Sequence, residues 1–247
     1  MERALSGRVA VVTGASSGIG EAIARALAAG GARVGLIARR ADRLDEIAAS
    51  LGAKGHVARP FVADVRDRNS LTEVAGAISG ELGRVDCLVN NAGMMLLSRV
   101  EERSFEEWRT MIETNLVGAV ETTTAFIDQL TDGGGDVVNI SSSAGGRARP
   151  ASSMYSATKA ALNAWADGLR QEVADRGVRV IVVKPGAVHS ELIEHISDEG
   201  LREKARDTRQ RVRALDAEDV ARVVTFAVTQ PEHMSVSEIL VRPTKQK

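Results

Sequence analysis

Tyr155-Ser156-Ala157-Thr158-Lys159 holds the only tyrosine in a chain of 247 residues. On a helix, a spacing of four puts Tyr155 and Lys159 on one face, within reach of a shared ligand. A phenol with a pKa near ~10 is a poor base at neutral pH. An ammonium beside it favours the phenolate, so the pair makes a usable acid/base from two groups that are weak alone. Y-x-x-x-K recurs by chance, and its weight comes from its surroundings. Ser142, thirteen residues before Tyr155, follows the apolar run ending in Asn139-Ile140-Ser141. A hydroxyl there can hydrogen-bond a carbonyl or alkoxide. Asn90-Asn91-Ala92-Gly93 closes another apolar run, and Asn115 sits inside a helical pattern. Together these groups read as proton transfer to or from an oxygen on carbon.

A second constellation lies near the N-terminus. The first apolar run leads into Thr13-Gly14-Ala15-Ser16-Ser17-Gly18-Ile19-Gly20 and then a helical pattern. Gly14, Gly18 and Gly20 permit a tight turn and a close backbone approach. The helix start offers free N–H groups and a positive dipole end to a pyrophosphate. A nicotinamide dinucleotide bound through a ribose 2′-OH calls for an acid at the end of the second strand. That strand ends in Ala38-Arg39-Arg40 instead, with Arg43 nearby. A guanidinium fork suits the 2′-phosphate of NADP(H). The plainer reading of these arginines is solvation of a helix start.

Stepping outward, apolar runs predict strands over Val9–Thr13, Arg33–Ala38, His56–Val62, Cys87–Asn90, Asp136–Ser141, Arg179–Lys184 and Glu238–Val241. Helical patterns lie near Gly18–Ala29, Asp42–Leu51, Asn69–Leu82, Glu106–Leu130, Met154–Arg176 and Ala217–Val228. The alternation predicts an α/β fold: one Rossmann-type doubly wound domain over 1–247, with a parallel sheet of about seven strands and helices on both faces. The motifs then fall at the C-terminal strand ends, where open α/β sheets bind ligands. Apolar residues are 44% and aromatics 3%, so the core is aliphatic, as a buried parallel sheet requires. Ser190–Leu215 interrupts the rhythm, and Leu201–Arg213 carries six basic and two acidic residues. It reads both as a solvated helix and as a lid over the site, readings that are compatible.

The net charge of −1 gives no footing for a nucleic-acid partner. A single cysteine, Cys87, excludes an intrachain disulfide and a multi-cysteine metal site. His56, His195 and His233 show no metal-ligand spacing, so no metal is expected. With no leader-like or membrane-spanning stretch, the expectation is a soluble cytoplasmic protein that acts on a small molecule away from membranes.

The motifs TGASSGIG (13–20), Asp64-Val65, NNAG (90–93), Asn115, Ser142, YSATK (155–159) and Pro185-Gly186 come in the order and spacing of the short-chain dehydrogenases/reductases, which the chain resembles over nearly its whole length. The resemblance implies that Tyr155 is the acid/base, Ser142 polarises a carbonyl, Lys159 holds the nicotinamide ribose and lowers the Tyr155 pKa, and Asn115 anchors a water in a relay through Lys159. It implies that Gly14, Ser16, Ser17, Gly18, Ile19 and Gly20, with Arg39 and Arg40, hold the phosphates of NADP(H). Asp64 and Val65 would flank the adenine, and Asn90, Asn91, Ala92 and Gly93 would line the cleft. Pro185, Gly186 and Val188 would meet the nicotinamide, and Ser190 would contact a phosphate. The implied reaction interconverts an aldehyde or ketone and an alcohol.

The ending Glu238–Thr244 resembles a subgroup that includes NADP-dependent serine and 3-hydroxy-acid dehydrogenases. NNAGMMLL (90–97), MIETNL (111–116) and LVRPTKQ (240–246) look like reductases of clavulanate-9-aldehyde. Ala144, Met94, Met95, Met154 and His189 are candidate substrate-pocket residues beside the motifs; for the methionines, core packing is the other reading. The family implies a homo-oligomer, tetramer or dimer, through the helices at 106–130 and 154–176. Two other functions were weighed. A catalytically idle NADP-binding sensor would not require Ser142, Tyr155, Lys159 and Asn115 together. A nucleotide-sugar epimerase would need a separate sugar domain, for which the chain has no room.

Overall fold

The computed structural model describes residues 4–246; the expected domain, 1–247, begins and ends just outside them. Seven strands form one parallel sheet: β1 (Val9–Thr13), β2 (Arg33–Ala38), β3 (Ala58–Val62), β4 (Cys87–Asn90), β5 (Gly135–Ile140), β6 (Val178–Pro185) and β7 (Glu238–Val241), in the order β3-β2-β1-β4-β5-β6-β7. The helices are α1 (Gly18–Ala29), α2 (Ala41–Gly52), α3 (Arg68–Leu82), α4 (Phe105–Ile112), α5 (Gly118–Thr131), α6 (Ser153–Val173), α7 (Glu199–Val212) and α8 (Ala217–Val228). This is the expected doubly wound fold. The chain order reverses between β1 and β4, and the crevice beyond their C-terminal ends is where such sheets take ligands.

Strand pleating divides the core in two. Ala10 and Val12 of β1 face one layer, with Ile23 and Leu27 of α1, Leu44 and Ile47 of α2, and Val220 and Val224 of α8. Val9 and Val11 face the other, with Ile78 of α3, Phe126 of α5, and Ala166 and Leu169 of α6. Both faces are apolar, so the strands read as continuous Val/Ile/Leu runs rather than alternating ones.

Two expectations need correction. The helix expected over Glu106–Leu130 is not uniform. Between α4 and α5 the chain widens into a π-helical turn, Glu113–Val117, which holds Asn115. Such turns insert a residue and re-aim side chains, often at functional sites. Gly118 follows immediately because a Cβ there would lie 2.7 Å from Val65 Cγ2. Strand β3 also begins at Ala58 rather than His56, after the Gly55 turn.

The far end of the sheet carries an ion cluster. Asp136 is fully buried at the start of β5. It accepts hydrogen bonds from Arg179 Nε at 2.7 Å and Nη2 at 3.0 Å. Arg8 Nη2 lies 2.8 Å from its other flank, and Arg8 Nε donates to Asp86 at 2.5 Å. Arg179 also donates to the carbonyls of Val228, Gln230, Pro231 and Met234, tying the end of α8 to β6. Removing one member of a buried, hydrogen-bonded ion cluster costs about 3–5 kcal/mol. Asp136→Ala is therefore expected to destabilise the fold by that amount in urea denaturation. A loss below about 1 kcal/mol would show that the cluster is dispensable.

Candidate active site

The phosphate turn is built by contacts between β1 and β4. Thr13 Oγ1 accepts from the N–H groups of Asn91 and Ala92, both at 3.0 Å, and donates to Val89 O. Asn91 Nδ2 donates to Thr13 O at 2.9 Å. Glycine is required where the backbone closes up: a Cβ on Gly20 would lie 2.2 Å from Gly14 O, and Gly14 and Gly18 adopt φ of 63° and 53°. Ser17 caps α1 without a side-chain hydrogen bond, which leaves the first N–H groups of the helix facing the cleft.

A cleft of about 300 Å³ runs from this turn across the strand ends. Of the residues singled out in the sequence, Gly14, Ser16, Ser17, Gly18, Ile19, Arg39, Arg40, Asp64, Val65, Asn91, Ala92, Gly93, Met94, Ser142, Tyr155, Lys159, Pro185, Gly186, Val188 and Ser190 line it. Arg40 donates to Ser16 Oγ at 3.1 Å and pairs with Glu191 at 3.2 Å. Arg39 is open to solvent, with Asp64 3.9 Å away. Hydrogen bonds from Arg66 hold the Asp64 carboxyl below the usual carboxylate range.

The chemical end is dry. Tyr155 and Lys159 project from one face of α6 and are 7% and 5% exposed. Burial pushes the Tyr155 phenol above its ordinary 10, against the opposing pull of a hydrogen bond with Ser142 and the charge of Arg209. Burial pushes the Lys159 ammonium down to about 8. Lys159 Nζ donates to Ile140 O at 2.8 Å, at the end of β5. Lys159 is thus turned toward the strand carbonyl. Asn115 Oδ1 accepts from Met94 N at 2.8 Å, and Nδ2 donates to Met94 O and Thr158 Oγ1. A Cβ on Gly93 would lie 3.2 Å from Asn115 Oδ1 and 3.6 Å from Lys159 Nζ, so the two groups border one small space.

Other expected residues fall outside the cleft. Asn90 points into the sheet and donates to Thr123 Oγ1 and Asn139 Oδ1. Gly20 acts through close packing. Met95, Met154 and Ala144 are half-buried and do not line the cleft; Ala144 N donates to Ser142 Oγ. His189 is exposed, and its backbone N–H bonds Leu215 O. Leu215 N in turn bonds Ala187 O, so the two ends of the 190–215 insert are pinned together.

Sequence reasoning missed Thr114, Leu192, Arg209 and Gln246. The first three line the cleft. Gln246 Oε1 accepts from Ala187 N at 2.8 Å and braces the Pro185–Ala187 turn. Arg209 was signalled only as one of six cations, which the sequence cannot rank.

Among known proteins, a family model described as short chain dehydrogenase matches residues 8–200. A glycine betaine reductase of Emericella nidulans is 39% identical over 97% of this chain, which spans only 19% of that protein. Two solved structures align along their whole length. An alcohol dehydrogenase of the archaeon Thermococcus sibiricus, complexed with 5-hydroxy-NADP, superposes with a TM-score of 0.87 at 34% identity, covering 97% of this chain and 98% of that one. The closed form of a serine dehydrogenase complexed with NADP+ superposes with a TM-score of 0.90 at 33% identity, covering 97% and 96%.

Lys159 makes the site measurable through stability. Below pH about 8 it is charged in both the folded and the unfolded chain, and the folded chain bears the full penalty of burying it. Between about 8 and its ordinary 10.5 the unfolded chain binds more protons, so folding becomes more favourable as pH rises. Lys159→Met removes the penalty and forfeits one hydrogen bond. It is expected to stabilise the fold by about 2 kcal/mol at pH 7, with the gain gone by pH 10.5. Denaturant melts across that range check it; a variant less stable than wild type at pH 7 refutes it.

Proposed function

The chain belongs to the short-chain dehydrogenase family of oxidoreductases, and we propose that it interconverts a carbonyl compound and its alcohol with NADP(H), using Tyr155 as proton donor and acceptor. The observation that carries this reading is the meeting of Ser142 and the buried Tyr155 and Lys159 in one cleft with the glycine turn and two arginines. The residues present fit the cofactor. The uncapped N-terminus of α1 suits a pyrophosphate, the bare glycines admit it closely, and Arg39 and Arg40 suit a 2′-phosphate where no acid stands at Ala38. The relatives that bind NADP support the same choice.

Bound NADPH supplies a hydride to the carbonyl carbon, and NADP+ accepts it in the reverse direction. The chain manages the oxygen. Ser142 donates a hydrogen bond to it, and Tyr155 gives it a proton as negative charge develops, so the carbonyl gains one hydride and one proton. A phenol kept above its ordinary pKa holds that proton until the alkoxide forms. Lys159 would hold the nicotinamide ribose and, with a water in the space it shares with Asn115, would return a proton to Tyr155. Asn115 also holds the Met94 segment against α6.

The substrate class favoured by the sequence is a 3-hydroxy acid or an aldehyde of the clavulanate-9-aldehyde kind. Assembly as a homo-oligomer is part of the proposal. Phe105, Ile112 and Val117, on α4 and the turn after it, are large apolar side chains left exposed, along the helix expected to form an interface. No helix among the described residues is long and apolar enough to cross a membrane.

Tyr155→Phe is expected to lower kcat by about 10²–10⁴-fold while NADPH affinity stays within about threefold. Near wild-type turnover would refute the assignment. Tight NADPH binding with no turnover of any aldehyde or ketone would favour the idle sensor. Arg39→Asp is expected to cut the preference for NADPH over NADH, read as a ratio of kcat/KM, by about 10- to 100-fold. An unchanged ratio would move 2′-phosphate recognition to Arg40.

A further inference from the structure

The cations of α7 and the residue after it are not equivalent. Arg206 pairs with Glu194, Arg202 donates to Ile196 O, and Arg211 donates to Thr208 Oγ1. Lys204 and Arg213 are exposed. Arg209 alone of α7 lines the cleft. Its Nη1 is buried, with no hydrogen-bond partner among the described residues. Glu194, the acid whose charge reaches it, is engaged by Arg206, and Glu191, which lines the same cleft, is engaged by Arg40. Arg209 is half-buried, and a guanidinium N–H held out of water without an acceptor is costly; the cost is removed when an anion binds it. The insert carrying Arg209 is braced for the purpose, pinned at its root by the Ala187–Leu215 and His189–Leu215 bonds and docked on α4 through Ser197 Oγ and Glu107 Oε1 at 2.5 Å.

The position of Arg209 indicates which anion. The glycine turn and the Arg39–Arg40 pair, which suit the cofactor's phosphates, lie between β1 and α1 and between β2 and α2. Arg209 comes from α7, beyond both, and lines the same cleft as Ser142 and Tyr155, the proposed site of carbonyl reduction. The anion is therefore part of the substrate. The cleft also has to hold the dinucleotide, which leaves room for a small substrate, and the planar fork of a guanidinium matches a carboxylate.

We infer that Arg209 is the specificity-determining residue of this enzyme and takes the carboxylate of an oxo acid or hydroxy acid whose reacting carbon lies at Ser142 and Tyr155. This rests on the hydride-transfer reading above and adds to it the recognition of charge. The test is NADPH oxidation by wild type, Arg209→Gln and Arg209→Lys with 4-oxobutanoate, 3-oxobutanoate and the methyl ester of each. Arg209→Gln is expected to lower kcat/KM for the acids by about 10- to 100-fold, mainly through KM, and to leave the esters within about threefold. Arg209→Lys should recover part of the loss. An equal fall for acids and esters would overturn the inference, because Arg209 would then act on Tyr155 rather than on substrate; so would no fall at all. The absence of turnover in wild type would count against the hydride-transfer reading instead. The anion site is then read by calorimetry of butanoate against butanamide on the NADP+-loaded enzyme. Selective binding of butanoate, lost in Arg209→Gln, supports the site, and equal binding of the two probes overturns it.

Discussion

The active site depends on keeping one ammonium out of water. Lys159 is 5% exposed, and among the described residues its only hydrogen-bond acceptor is the carbonyl of Ile140. An ammonium in such a place pulls hard on any acceptor or negative charge brought near it, because little solvent screens it. Much of the surrounding structure can be derived from that requirement. Helix α6 must be long and packed on both core strands and neighbouring helices, so that burying Leu162, Ala166, Leu169 and Val173 offsets the penalty at its start. The strand carbonyl must end where it does, which the register of β5 against β4 and β6 secures. Ser141 Oγ, donating to Lys159 O, ties the same strand end to the same helical turn.

Close backbone approach is the second constraint, and it explains where small residues fall. Gly20 sits where any side chain would meet Gly14 O and Asn91 Nδ2, and Gly118 where it would meet Val65. The first contact brings the start of α1 against the end of β4. The second sets α5 against the loop after β3, immediately after the turn that aims Asn115. The dinucleotide cleft and the proton-handling groups are thus coupled through van der Waals contact.

The fold was legible because both sheet faces are buried. Seven apolar runs stand out when nothing alternates with polar positions, and parallel pairing with helical crossovers follows. The candidate catalytic groups were legible because the chemistry proposed for them depends on residue type and local spacing. What was not legible depends on direction. Asn90 and Asn91 are neighbours with the same side chain, yet Asn90 bonds within the sheet and Asn91 braces the phosphate turn. A period of 3.6 residues does not reveal a π turn, so Asn115 was placed on the right helix with no account of why it points inward. Gln246 is far from the Pro185–Ala187 turn in sequence, and no local pattern announces their contact. Arg209 differs from the other cations of α7 in lining the cleft, which depends on how the helix packs and not on any local pattern.

The two ends of the sheet also differ in how they treat charge, and the difference separates stability from chemistry. At the N-terminal strand ends Asp136, Arg8, Arg179 and Asp86 satisfy one another, and the arginines use their remaining donors on carbonyls. Cys87, beside them, is buried and pushed up to about 12, so its thiol stays protonated and acts as a small apolar filler. At the C-terminal strand ends polar groups are left incompletely satisfied among the described residues: Arg209 Nη1 has no partner there, Lys159 has one, and the first N–H groups of α1 lack a side-chain cap. Local rules are broken where ligand must complete them and obeyed where it never comes. Burying Lys159 and Arg209 Nη1 in this way costs stability, and the satisfied cluster at the other end of the same strands offsets that cost without touching the cleft.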